Sequence, residues 1–128
     1  MRWRRRQRGI RPISMQKLIR LLDCEVLWGA KRLAEAKVTG CFAADLMSDV
    51  LAFSKPGVVL LTGLASIQSV HTADVAEMQC VIYVSEKQPA EGVLELAQKK
   101  EIPLLRTHHN MFDACGILYK AGLRATLK

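Results

Sequence analysis

The stretch AKVTGCFAADLMSDVLAFS, at residues 36–54, decides the fold because it contains both a strand pattern and a helical spacing of apolar residues. Its first half is apolar and closes at Thr39 and Gly40, which predicts a strand that ends in a turn. Its second half has apolar residues at helical spacing, and this pattern predicts a helix: Leu46, Met47, Val50, Leu51 and Phe53. The stretch therefore predicts one strand, one turn and one amphipathic helix.

A pair of acidic residues interrupts this helical pattern. Asp45 and Asp49 lie one turn apart beside Ser48, and like charges at this spacing repel by about 0.2 to 0.5 kcal/mol. A structural interpretation places both carboxylates in the first two turns, where the helix dipole and free backbone donors favour anions. A functional interpretation makes these three residues a polar edge for a ligand, a cation or a second subunit. The sequence leaves both open.

Strands and helices alternate outward from this unit. Residues 58–62 and 80–84 are continuous apolar runs, typical of strands that are buried on both faces. Ser14 is a favoured N-cap residue and predicts a helix that begins after it. Pro89 suits the first turn of a later helix, and residues 111–119 are predicted to form the last helix. This alternation predicts an α/β domain with a largely parallel sheet covered by helices on both faces.

The positive charge of the chain is confined to its start. The formal net charge is +7, but residues 1–14 hold six arginines and no acid, and thirteen basic residues face twelve acidic ones from residue 15 onward. We therefore divide the chain into a basic arm, 1–14, and a single domain, 15–128. The arm is either a disordered tail, an extension upstream of a natural start at Met15, or a segment that contacts the phosphates of nucleic acid or of an acidic membrane.

The four cysteines show no metal-binding or redox spacing. They are widely separated and lie mostly in apolar runs, which indicates buried free thiols in a reducing cytosol rather than two disulfides: Cys24, Cys41, Cys80 and Cys115. The segment after the arm lacks an uninterrupted apolar core, and the longest apolar stretch is shorter than the roughly twenty residues of a spanning helix. We therefore expect a cytoplasmic protein without membrane contact.

A binding site is expected where loops meet beyond the carboxyl ends of parallel strands. Thr39 with Gly40 and Thr62 with Gly63 each pair a hydroxyl with a residue that lets backbone approach a ligand. The helices that follow would offer free donors to an anion. The loops at residues 85–86 and 107–110 are expected at the same edge. The alternative is that these residues end strands for steric reasons alone.

Catalytic and metal-binding patterns are missing from the sequence. It contains no phosphate loop, no nucleophile elbow, no dinucleotide-binding glycine motif, and no histidine or cysteine spacing that favours zinc. We expect His109 or Asn110 to cap the last helix and His71 to lie on a helix surface. Cys115 and His108 could form a catalytic pair of nucleophile and base by residue type, but a thiol among the apolar positions of a helix is usually inert. The sequence predicts no catalytic residue, no metal and no cofactor.

Several segments together resemble the DRTGG domain family. Thr39-Gly40 matches the Thr-Gly of the naming motif, followed by Asp45-Leu46, then Ser48-Asp49-Val50. The order of the remaining segments is also similar, over about residues 15–123: 57–62, 80–84, Pro89 with its helix, 102–105 and 112–123. The resemblance implies a three-layer α/β/α sandwich with about five strands, similar to the N-terminal domain of HPr kinase/phosphorylase.

This chain departs from the family pattern at three places. Cys41 replaces the second glycine of the motif, Ala36-Lys37 replaces its Asp-Arg, and residues 63–66 stand where such domains carry a more polar segment. The last departure implies a lost or altered contact if that segment binds a ligand in relatives.

The resemblance implies an accessory domain without chemistry of its own, which contributes to dimer contacts and regulation. Our first hypothesis is a non-catalytic regulatory module that forms a homodimer or docks on a partner enzyme through the helix edge at Asp45, Ser48 and Asp49 and nearby apolar side chains. The second is a sensor of a nucleotide or another small anion at Thr39-Gly40 and Thr62-Gly63. The third is nucleic-acid binding through the basic arm, which we rank last.

Overall fold

A computed structural model describes residues 11–125 of the chain. Its strands are β1 (Ile13–Ser14), β2 (Glu25–Trp28), β3 (Lys37–Val38), β4 (Cys41–Ala43), β5 (Val59–Thr62), β6 (Cys80–Tyr83) and β7 (Leu104–Arg106). Its helices are α1 (Met15–Leu22), α2 (Ala30–Leu33), α3 (Met47–Phe53), α4 (Ile67–Val75), α5 (Val93–Lys100) and α6 (Met111–Lys120).

Five of the strands form one sheet in the order β2-β7-β6-β5-β4. The four strands from β4 to β7 are parallel, and β2 runs antiparallel beside β7. A separate two-stranded sheet joins β1 to β3 in antiparallel fashion. The prediction of a largely parallel sheet of about five strands is confirmed.

The sheet is covered on both faces because its central strands are apolar at every position. Val59 and Leu61 point into the core beneath α1 and α6, whereas Leu60 and Val81 point into the core beneath α3, α4 and α5. All four residues of β5 and all four of β6 are buried. This continuous burial is what parallel strands between two helical layers require, and it confirms the three-layer α/β/α architecture.

Two helix starts follow the predicted capping chemistry. The Ser14 hydroxyl accepts a hydrogen bond from the Lys17 N–H at 3.0 Å at the start of α1. The Asn110 side chain accepts one from the Asp113 N–H at 2.9 Å at the start of α6. Each bond satisfies a donor that the first turn of a helix leaves free. Between the two candidate caps for the last helix, the structure therefore selects Asn110.

Residues 36–54 fold differently from the prediction. The first strand is two short ones, β3 and β4, on either side of Thr39 and Gly40, and α3 begins only at Met47. Leu46 is the N-cap residue of α3 and has extended backbone angles, with φ at −86° and ψ at 109°. Asp45 therefore precedes the helix instead of lying in its first turn, and the prediction that Asp45 and Asp49 share a helical face is wrong.

Two further predictions need correction. Pro89 lies in the loop between β6 and α5, four residues before the helix that it was expected to open. Ile13 and Ser14, which the sequence assigned to the basic arm, belong to the folded domain because they pair with Val38 and Lys37. Residues 1–10, which hold most of the arm and the proposed nucleic-acid contacts, lie outside the described residues.

Candidate functional site

The carboxylate of Asp45 binds the end of the neighbouring strand. Its Oδ1 accepts a hydrogen bond from the Gly63 N–H at 2.7 Å and one from the Thr62 hydroxyl at 3.2 Å. The Thr62 oxygen in turn accepts a bond from the Leu64 N–H at 3.1 Å. Hydrogen bonds to a carboxylate are stronger than those between neutral groups. Asp45 therefore ties the end of β4 to the end of β5.

This arrangement decides what the loop after β5 can bind. The N–H of Gly63 and the hydroxyl of Thr62 are the donors that the sequence offered to an anion, and the Asp45 carboxylate already uses both. A second anion would compete for these donors and would also meet a like charge within a few ångströms. The geometry thus disfavours a small-anion site at Thr62 and Gly63.

Thr39 and Gly40 lie at the opposite end of the parallel strands, where β5 begins. The Gly40 carbonyl accepts a hydrogen bond from the Val59 N–H at 3.1 Å, at the start of β5, whereas Thr62 and Gly63 are at its end. A strand rises by about 3.3 Å per residue, so the two pairs are separated by roughly 10 Å along β5. The predicted convergence of Thr39-Gly40 with Thr62-Gly63 is therefore wrong. Thr39 and Gly40 come directly before β4, at its amino end, whereas the prediction placed them at the carboxyl end of a strand.

The helix α3 presents an exposed surface with apolar and acidic side chains. Met47 and Val50 are buried, whereas Leu46 is 62% exposed and Phe53 is 55% exposed. These two residues and the half-buried Asp49 occupy positions i, i+7 and i+3, so they share one side of the helix. We name Leu46, Asp49 and Phe53 the α3 surface. Of the predicted site residues, it contains Asp49, whereas Ser48, at position i+2 from Leu46, lies on another side of the helix.

Sequence periodicity missed this exposure. The large apolar residues at this helix are too many for one core-facing stripe, because the five between residues 46 and 53 span about 160° of the helix circumference, wider than the stripe of about 100° that typically faces a core. That excess was the available signal. It predicts that some of these side chains face away from the core, but not which.

A second possible binding position at the carboxyl ends of the parallel strands lies between β6 and β7. The helix after β6 packs on one face of the sheet and the helix after β7 packs on the other. Loops that diverge in this way open a crevice where ligands of α/β proteins commonly bind. Here backbone bonds join the two loops, from the Ser85 N–H to the His109 carbonyl at 2.7 Å and from the Glu86 N–H to the Thr107 carbonyl at 2.8 Å.

Burial raises the pKa of all four thiols. Burial, and secondarily the Asp23 carboxylate, raises the pKa of Cys24 to about 12. Burial, and secondarily Cys115, raises the pKa of Cys41 to about 11. Burial also raises the pKa of Cys80 and of Cys115. Because the thiolate is the nucleophile and the metal ligand, these shifts oppose both roles.

The histidines make few contacts. The rings of His108 and His109 lie 4.2 Å apart, and His108 Nδ1 is 3.8 Å from a carboxylate oxygen of Asp23. His71 is exposed on α4, as predicted. Among residues 11–125, no three histidine, cysteine or acidic side chains lie close enough to hold a metal ion. Within the same residues, no helix has the length and apolar character needed to cross a membrane.

Comparison with solved structures identifies a similar fold. One of the matching chains contains the CBS and DRTGG domains of the regulatory region of Clostridium perfringens pyrophosphatase, complexed with the activator diadenosine tetraphosphate. The two folds superpose with a TM-score of 0.69 at 16% sequence identity, over 86% of the present chain. The match covers 47% of that chain, so the present domain corresponds to about half of the region compared.

Comparison with families and with curated proteins gives two further results. No curated protein matches the sequence. The family model of the DRTGG domain matches residues 17–121, which is most of the chain and nearly all of the described domain. This chain therefore belongs to the DRTGG domain family.

Proposed function

We propose that this chain is a non-catalytic regulatory module that docks on a partner enzyme through the α3 surface. The observation that carries the proposal is the exposure of two large apolar side chains, Leu46 and Phe53, on the same side of one helix. Leu46 and Phe53 lie two helical turns apart on that side, and large apolar groups clustered on a protein surface often mark a site of protein contact. The α3 surface thus takes the place of the acidic helix edge expected from sequence.

The charge of the α3 surface indicates the kind of partner. Asp49 lies within it and Asp45 precedes it in sequence, whereas α3 itself contains no basic residue and Lys55 follows the helix. A two-fold contact would bring Asp49 towards Asp49 of a second copy, and like charges at an interface are costly. The α3 surface therefore suits a different protein with an apolar patch and basic residues around it better than it suits a second copy of this chain.

The state of the thiols and the lack of a metal-ligand cluster among the described residues support a regulatory role. The thiols have raised pKa values, and no cluster of potential metal ligands occurs within residues 11–125. The similar pyrophosphatase chain contains the CBS and DRTGG domains of a regulatory region. By analogy, the present domain would regulate an enzyme by contact with it.

The test is affinity capture from extract of the source cells with three immobilised variants. Wild type is compared with the double variant Leu46→Ser/Phe53→Ser and with Phe112→Ser, which removes an exposed phenylalanine from the opposite face of the sheet. We expect one enzyme to be retained by wild type and Phe112→Ser, and to be lost from the double variant. Capture that is equal on all three proteins, or no capture at all, would contradict the proposal.

A second candidate function is the binding of a nucleotide, favoured by a cavity beside α5. The cavity measures about 320 Å³ and has apolar walls from Leu27, Pro89 and Leu94, with the amide of Gln88 and the carboxylate of Glu95 at its border. This size is at the lower limit for small-molecule sites. The related regulatory region binds diadenosine tetraphosphate, a nucleotide activator.

Thermal denaturation with added nucleotides tests this second candidate. A ligand at one hundred times its dissociation constant stabilises a protein by about 2.7 kcal/mol, which is readily measured. We would add diadenosine tetraphosphate, ATP and AMP to wild type and to Leu94→Trp, in which the larger side chain fills the cavity. A shift in wild type that is absent from Leu94→Trp supports the site. An equal shift in both, or none, rejects it.

A further inference from the structure

We propose that α6 forms a symmetric antiparallel helix pair with α6 of a second copy, centred on Gly116. The outer side of this helix carries Phe112, which is 86% exposed, and Tyr119, which is 54% exposed. Gly116 lies between them, and an added Cβ atom there would meet nothing within 4 Å. This surface lies on the face of the sheet opposite the α3 surface, so the inference is independent of the proposed function.

The shape of the α6 surface allows a second helix to approach. A shallow groove of about 350 Å³ runs along it, with Phe112 at one end, Gly116 on its floor and Lys120 at the other end. Because Gly116 has no side chain, a second helix can come close to the backbone at this point. The ring of Tyr119 is held by Arg124, whose guanidinium carbon lies 3.7 Å from the ring centre. Tyr119 thus has a fixed position on the same side of α6 as Phe112.

The charges of the α6 surface are complementary to themselves. Asp113 and Lys120 lie seven residues apart on one side of the aromatic stripe, and neither has an ion-pair partner among residues 11–125. In an antiparallel pair, a two-fold axis brings Asp113 of each copy towards Lys120 of the other. A two-fold interface must match itself in this way, and the α3 surface, whose only charged residue is Asp49, does not.

The spacing of these residues agrees with a single axis. The midpoint between Phe112 and Tyr119 and the midpoint between Asp113 and Lys120 each fall within half a residue of Gly116. Half a residue of α-helix is about 0.8 Å, so one axis near Gly116 serves both pairs. Each Phe112 would then lie beside Tyr119 of the second copy, where aromatic rings pack edge to face.

Sedimentation equilibrium over a range of concentrations measures the proposed dimer. We expect wild type to dimerise with a dissociation constant in the micromolar range, because one helix pair is a small interface. Phe112→Ser should weaken the dimer by at least about a hundredfold, since it removes two buried rings from each dimer. Phe53→Ser, the same substitution on the α3 surface, should leave it unchanged.

Gly116→Gln separates loss of the interface from loss of the fold. Glutamine fills the groove floor, so the dimer should be lost, but glutamine is the better helix former and should raise the melting temperature of the monomer. A dimer that survives both Gly116→Gln and Phe112→Ser overturns the proposal. So does a wild-type chain that sediments as a monomer at every concentration.

Charge exchange tests the orientation of the two helices. Asp113→Lys and Lys120→Asp should each weaken self-association, because every ion pair across the axis becomes a repulsion. When the two variants are mixed, each copy supplies the charge that the other needs, and heterodimers should form more tightly than either homodimer. A mixture that associates no better than its components would refute the antiparallel arrangement. Circular dichroism of each variant verifies that it is folded.

Discussion

Removal of the Asp45 carboxylate should destabilise the domain much more than removal of the neighbouring Asp49 carboxylate. Asp45 accepts two hydrogen bonds, from the Gly63 N–H at 2.7 Å and from the Thr62 hydroxyl at 3.2 Å. A hydrogen bond to a charged group contributes about 1.5 to 3 kcal/mol. Asp45 is exposed, so water partly replaces the lost partner of Gly63, and values at the lower end of this range apply.

We therefore expect Asp45→Ala to lower the free energy of unfolding by about 2 to 3 kcal/mol. For a domain of this size, such a loss lowers the melting temperature by about 8 to 12 °C. Asp45→Asn should cost only about 1 kcal/mol, because the amide oxygen still accepts both bonds without its charge. Asp49→Asn is the matched control and should stay within about 0.5 kcal/mol, since this residue adds only a dipole interaction in the first turn of α3.

Urea denaturation followed by circular dichroism measures these differences, with the slope against urea as a check that the variants unfold over the same surface. A double-mutant cycle of Asp45→Ala with Thr62→Val should give a coupling of about 1 kcal/mol. The reasoning is refuted if Asp45→Ala costs less than about 0.5 kcal/mol or no more than Asp49→Asn. That outcome would mean that the carboxylate does not hold the ends of β4 and β5 together.

Three further predictions concern the thiols and two glycines. Alkylation of Cys24 and Cys41 by iodoacetamide at pH 8 should be about a hundredfold to a thousandfold slower in the native protein than in urea, because raised pKa values lower the thiolate fraction; equal rates would contradict the burial. These pKa values lie above the unfolded one of 9.0, so the two thiols contribute stability that is constant below pH 9 and is lost from there towards pH 12; in urea titrations, replacement of both thiols by alanine should flatten the fall in stability above pH 9, and an unchanged fall would exclude them as its cause. Gly29→Ala should cost about 2 to 4 kcal/mol, because φ is +93° and the new Cβ would lie 2.8 Å from Pro103; Gly57→Ala, with φ at +81° and open space, should cost only about 1 kcal/mol, and equal losses would show that the Pro103 contact relaxes.

The sequence predicted the architecture because the signals that determine it are local. The continuous apolar runs of β5 and β6 announce strands that are buried on both faces, and Ser14 and Asn110 provide side-chain acceptors at the positions where helices begin. Each of these signals acts within a few residues. The alternation of strands with helices then leaves few arrangements for a parallel sheet.

The candidate site was predicted only in part because its contacts are not local. Asp45 and Asp49 look equivalent in sequence, but a bond across 18 residues binds Asp45 to Gly63 while Asp49 stays on α3. Strand pairing also decides at which end of the parallel strands Thr39 and Gly40 lie, because β4 follows them and pairs in parallel with β5. No periodicity within residues 36–54 contains that information.

By itself, then, the sequence determined the α/β class, the central strands, the capped helices and the lack of a catalytic motif. The tertiary structure alone decided which edge each loop occupies and which apolar side chains remain outside. Leu46, Phe53 and Phe112 fit a core by composition, yet all three are more than half exposed. The physical reason is that a helix between sheet and solvent buries one side only, and the sheet decides which side that is.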